Sequence, residues 1–149
     1  MRPSFKQWGL ALLGCISIIP VLIGPIITGV LVDYGGFTNT EAGLTAGYSA
    51  IGSVAVAVLC ALNMHRLPLR RLATVGTLLL ATSNLAGAML YSDLPFFYST
   101  RVLAAFGAGA LYASVMSGFA RDSRSERNYG LFMMLQFGLA SLGLWSLPT

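Results

Sequence analysis

Long apolar runs alternate with short polar gaps along the whole chain. The runs read Trp8–Val32, Ala42–Leu62, Leu72–Tyr91, Phe96–Phe119 and Tyr129–Leu147. Each is about the ~20 residues with which an α-helix crosses a ~30 Å hydrocarbon layer. Lipid offers the backbone no hydrogen-bond partner, so such runs span only as helices. The pattern predicts an all-α, polytopic transmembrane bundle, a single domain over 1–149 with helices at 8–32, 42–62, 72–91, 96–119 and 129–147.

Charge gives the pattern a direction. Eight of the nine Lys and Arg residues lie in alternate gaps. Arg2 and Lys6 precede the first run, Arg66, Arg70 and Arg71 separate the second from the third, and Arg121, Arg124 and Arg127 separate the fourth from the fifth. Positive loops stay in the cytoplasm, which puts the N-terminus and the 63–71 and 120–128 loops inside. Asp33, Glu41 and Asp93 mark the outward gaps, and five crossings place the C-terminus outside. Trp8 and Tyr129 fall near the inner interface. Tyr34, Phe37, Tyr91, Phe96, Phe97, Tyr98 and Trp145 fall near the outer one, where polar-edged rings favour the headgroup zone.

Composition agrees with this solvent. Hydrophobic residues make up 56% of the 149 and charged residues 9%, and mean hydropathy is +0.75; a soluble domain carries about 25% charged residues. The net charge of +4 does not indicate nucleic acid, because the basic residues sit at helix ends and share no soluble face. The start of the chain imitates a lipoprotein signal ending at Cys15, but the apolar run continues to Val32 with no polar tether. Cys15 and Cys60 read as small apolar residues inside helices, and His65 is the only histidine. No metal or cofactor is implied, and no carboxylate pair, His/Cys cluster or nucleophile–base spacing points to an enzyme.

Polar groups within the runs are the candidate chemistry. Pro20 and Pro25 bend the first helix, either as a structural kink or as part of a substrate path. Thr38–Glu41 and Ser123–Glu126 each read as a capping box. Asn84 invites an interhelical hydrogen bond or a substrate contact. Ala42, Ala46 and Ala50, with Gly43 and Gly47 beside them, form a small-residue row suited to close helix packing, as do Ala105, Gly109, Ala113 and Ser117. Arg101 stands about five residues inside the fourth run, ~8 Å along its axis. A fixed charge at the bilayer centre costs at least ~2.5–3.5 kcal/mol, less off-centre. The residue either snorkels to the outer headgroups or faces a polar pathway with Ala105, Ala108 and Tyr112 on the same face. Gln136 sits near the middle of the fifth run.

Three segments carry a resemblance. The 2–3 loop reads Asn63-Met64-His65-Arg66-Leu67-Pro68-Leu69-Arg70-Arg71, the fourth run opens Arg101-Val102-Leu103-Ala104-Ala105-Phe106-Gly107-Ala108-Gly109, and the last segment holds Arg121-Asp122, Glu126-Arg127 and Tyr129-Gly130-Leu131-Phe132. The chain resembles the N-terminal half of a bacterial major facilitator superfamily transporter over essentially its whole length. Its 2–3 loop keeps the basic end but lacks the family's Asp and both glycines. Its fourth run has Ala104 and Ala105 at positions of the usual Gln and first Gly.

The resemblance implies two six-helix bundles, a mid-membrane solute site and alternating access. Helices 1, 2, 4 and 5 would border the cavity and helix 3 would lie outside. It thus implies a pathway at Arg101 and Gln136, to which helical spacing adds Tyr112, a gating loop at Arg66, Arg70 and Arg71, and packing glycines at Gly107 and Gly109, to which the small-residue row of the second run adds Gly43 and Gly47. The setting would be a bacterial inner membrane, and the partners a small solute, protons as an optional coupling ion, and the C-terminal helices of a parent transporter. A half ending after its fifth helix is expected to be a fragment. No Asp or Glu lies in mid-helix, so proton coupling would use Asp33 or residues elsewhere, and uniport is equally allowed. The competing expectation is a membrane scaffold or accessory subunit that transports nothing.

Overall fold

A computed structural model describes residues 5–63 and 68–146. They form six helices: α1 (Phe5–Leu22), α2 (Gly24–Asp33), α3 (Asn39–Asn63), α4 (Leu69–Met89), α5 (Leu94–Ala120) and α6 (Ser125–Ser146). The first apolar run is therefore two helices, bent by 45° at Ile23. The cause lies in Pro25, which has no N–H to give to the carbonyl four residues back. Pro20 lies within a continuous α1. A Cβ at Gly24 or Gly29 would meet nothing within 4 Å, so neither glycine serves a close approach.

Helix ends follow capping groups rather than the edge of the apolar pattern. At α3, the Thr38 amide donates to Glu41 Oε2 at 2.8 Å and the Glu41 amide donates to Thr38 Oγ1 at 3.2 Å. This is the expected reciprocal box, and it starts the helix at Asn39 instead of Ala42. Asp93 caps α5 by accepting from the Phe96 amide at 3.3 Å. The box expected at Ser123–Glu126 is not made; Asp122 accepts from the Arg124 amide at 3.0 Å instead.

Helix α5 is the axis of the bundle and touches α1, α3, α4 and α6. Apolar residues surround it on all sides, as burial from several directions requires. It meets α4 backbone to backbone: a Cβ on Gly107 would lie 2.7 Å from the Leu80 nitrogen and 2.8 Å from the Gly76 oxygen. Against α3, a Cβ on Gly109 would collide with the Val56 side chain, and one on Gly52 with the Val102 carbonyl. Gly107 and Gly109 thus stand in packing seams. Gly43 and Gly47 do not: both are exposed and a Cβ on either would meet nothing within 4 Å. On the far side, Ala11 and Cys15 of α1, Leu111, Val115 and Phe119 of α5 and Phe132 of α6 form one core cluster. Cys15 and Cys60 are both buried and free.

The outer surface is apolar. Val54, Leu62, Val75, Leu78, Leu85 and Phe137 are each 60% exposed or more, a surface that water disfavours and lipid tolerates. Helices α3, α4 and α5 are long and apolar enough to cross a membrane, and the α1–α2 pair makes a fourth candidate as one bent span. That pattern suggests a membrane protein. The fifth expected crossing corresponds to α6, whose charged residues Glu126 and Arg127 lie in its first turn, ahead of an apolar stretch from Tyr129 onward. Two of the rings expected at the outer interface turn inward. Phe37 and Phe97 are 7% and 5% exposed, pack around Ala42 and meet edge to face at 5.4 Å, whereas Tyr34 and Trp145 are each 86% exposed.

Candidate functional site

Between the α1–α2 bend and the middle of α3 and α5 lies a cavity of about 850 Å³. Its walls are the bend around Pro20 and Pro25, the face of α3 from Thr45 to Ala57, the face of α5 from Arg101 to Ala113, and Leu80 and Asn84 of α4. Small side chains make the room. Ala46 and Ala50 of α3, read from sequence as packing residues, line this space, as do Ala105 and Gly109 of α5. A small-residue row permits close contact or open volume, and its rotation relative to the neighbours decides which.

Most of the polar wall groups are already engaged. Ser17 donates to the Gly14 carbonyl at 2.6 Å, Thr28 to Gly24 at 3.0 Å, Thr45 to Glu41 at 3.1 Å and Ser49 to Thr45 at 2.9 Å. Each hydroxyl has thus spent its single proton on its own helix and keeps lone pairs for the cavity. Asn84 donates to Leu80 of the same helix at 2.8 Å, so the interhelical bond expected of it is not formed.

Arg101 is different. Its side chain is half-buried in the wall, its Nε is fully buried, and that atom has no hydrogen-bond partner. The guanidinium carbon stands 5.0 Å from the centre of the Phe97 ring, one turn earlier on α5. The head also lies against α4 where Gly87 has no side chain: a Cβ there would be 2.6 Å from Nη2. The sequence pattern does not single out this role for Gly87, although its spacing from Ser83 and Asn84 puts all three on one broad helix face.

The other predicted site residues fall in several places. Tyr112 lines the cavity, with its ring 6.1 Å from Phe132 of α6. Gln136 is 8% exposed on α6 and takes no part in the wall, while Asn84, expected on an outer helix, does. Arg70 and Arg71 are exposed in the first turn of α4, ~25 Å along its axis from Gly87. Arg66 lies outside the described residues.

Near Arg70 and Arg71 in the predicted topology, a second polar group ties the chain together. Asp122, between α5 and α6, accepts from Asn128 Nδ2 at 3.0 Å and from Gln7 Nε2 at 3.3 Å, besides the Arg124 amide. The Asn128 bond first, then the Arg124 amide and Gln7, hold its carboxyl below the usual carboxylate range. No protein-family model, no curated protein and no solved structure matches the chain.

Proposed function

We propose that this chain forms part of a secondary or facilitative transporter of a small solute, of the major facilitator type that its sequence resembles. One observation carries the reading: a cavity of about 850 Å³ walled by a bent helix and small residues, with Arg101 the one cation in its wall among the described residues. Pockets for small molecules run from about 300 to 1,000 Å³ and use few polar groups to orient the ligand. Broken helices beside a mid-membrane site are how transporters set polar backbone against a solute. Solute held there would favour whichever of two bundle arrangements binds it better, and that difference drives alternating access.

Labelling tests the reading. A cysteine at Ala105, in the wall, is expected to react with a neutral water-soluble maleimide several times faster than one at Leu78, which is 60% exposed on the outer surface. Reaction at Ala105 no faster than at Leu78 would leave a non-transporting scaffold as the better account.

A further inference from the structure

We propose that the solute is an anion, held through a carboxylate or phosphate group by the guanidinium of Arg101. The inference rests on the solute-cavity reading and narrows it. Arginine keeps its charge in proteins, so the wall carries a permanent cation. The five acidic residues, Asp33, Glu41, Asp93, Asp122 and Glu126, stand at helix ends or in links, and none lines the cavity. The buried Nε has no acceptor. A guanidinium offers its N–H groups as a planar fork that matches a carboxylate or phosphate.

The surroundings keep the head inside the bundle. Phe97 and Thr100 beside it are 5% and 4% exposed. The Phe97 ring attracts the cation through its face but leaves the in-plane N–H groups free to bond elsewhere. The Thr100 hydroxyl donates to the Phe97 carbonyl at 2.6 Å, so its proton is engaged. Asn84, on the same stretch of wall, uses one amide proton on Leu80 and retains a second. Fixed positive charge and unspent donors in a low-dielectric wall favour a partner that brings acceptors and negative charge. Such a group is found both on soluble organic anions and on phospholipid headgroups.

Charge-selective labelling separates these outcomes. The chain with Ala105→Cys is placed in vesicles of neutral phosphatidylcholine; its own Cys15 and Cys60 are 1% and 7% exposed and give the background. Sulfonatoethyl methanethiosulfonate and its trimethylammonio counterpart are compared, each rate normalised to Tyr34→Cys, a position 86% exposed. The anionic reagent is expected to win by about tenfold, the low end of what a charged cleft does to local ion concentration. Arg101→Gln is expected to erase the preference and Arg101→Lys to restore most of it, with helix content unchanged by circular dichroism.

Repeating the series with phosphatidylglycerol in the vesicles identifies the source. Slower anionic labelling at Ala105→Cys than at Tyr34→Cys indicates a headgroup in the site, and an unchanged ratio indicates a soluble anion; both support the proposal. Equal rates for the two reagents in the otherwise native chain would overturn it without any change at Arg101, as would a preference that survives Arg101→Gln. If neutral and charged reagents alike label Ala105→Cys no faster than Leu78→Cys, the cavity reading itself has failed.

Discussion

Gly87 of α4 and Arg101 of α5 fit one against the other, the missing Cβ of the first making room for Nη2 of the second. A methyl at position 87 would also stand 2.8 Å from Thr100 Oγ1, which is tied to the Phe97 carbonyl. The arginine head is the far end of a flexible side chain, so it is the group that gives way. Gly87→Ala is therefore expected to push the guanidinium off Phe97 and further into the cavity. The cost should be about 1 kcal/mol, the low end for overpacking. The anionic labelling preference at Ala105→Cys should rise, and a fall would place the head on the other side of α4.

Glycines that look alike in the sequence differ in what surrounds them. At Gly107 an added Cβ meets the backbone of Gly76 and Leu80, which cannot rotate away. Gly107→Ala should cost about 1–3 kcal/mol, read as a lower Tm in detergent. Gly43 and Gly47 meet nothing, and a helical glycine gives up about 0.5–1 kcal/mol relative to alanine. Gly43→Ala and Gly47→Ala should each raise Tm. A loss at either would mean that another helix seats there.

Asp122 gives stability a pH dependence. Its carboxyl is held below the usual range by hydrogen bonds from Asn128, Arg124 and Gln7. A carboxylate with a depressed folded pKa stabilises fully above its unfolded value and loses that contribution as pH falls through the folded one. Asp122→Asn should thus lower Tm at neutral pH, and the gap to the native chain should close as the buffer is taken below about pH 4. A gap that stays constant would assign the effect to packing.

Much of the helical plan is legible in the sequence, because hydrophobic runs, the Thr38–Glu41 box and the prolines each act within a few residues. Rotation about a helix axis is not. It decides that Gly109 meets Val56 while Gly47 meets nothing, that Asn84 reaches the cavity while Gln136 does not, and that Phe37 and Phe97 turn inward. Periodicity defines a face relative to its own helix, and tertiary packing chooses what that face sees. Gly87 escaped for the same reason, since its use depends on an arginine from another helix.

The basic residues also make a topological prediction. A reporter fused after Arg71 or Arg124 should be active as a cytoplasmic protein, and one after Gly36 or Asp93 as an exterior protein. The reverse pattern would invert the proposed orientation. A fusion after Ser146 decides the role of α6: an exterior signal makes it the expected fifth crossing, and a cytoplasmic one leaves it on the inner side.

The bend at Ile23 can be traced to one missing donor. Alanine at position 25 would regain an N–H able to reach the Val21 carbonyl, so Pro25→Ala should straighten the α1–α2 pair. Nitroxide labels at Leu12 and Val30, 47% and 49% exposed, sit on its two arms. With arms of ~16 and ~10 Å at 1.5 Å per residue, loss of the 45° bend lengthens the axial separation by about 2 Å. Because Pro20, Val21, Gly24 and Pro25 all line the cavity, a straighter pair should also change the rate of labelling at Ala105→Cys. Pro20→Ala should change the distance far less, since α1 already runs through Pro20 unbroken. If Pro25→Ala leaves the separation unchanged, the packing of α2 on α3 maintains the angle, and the proline records the bend without causing it.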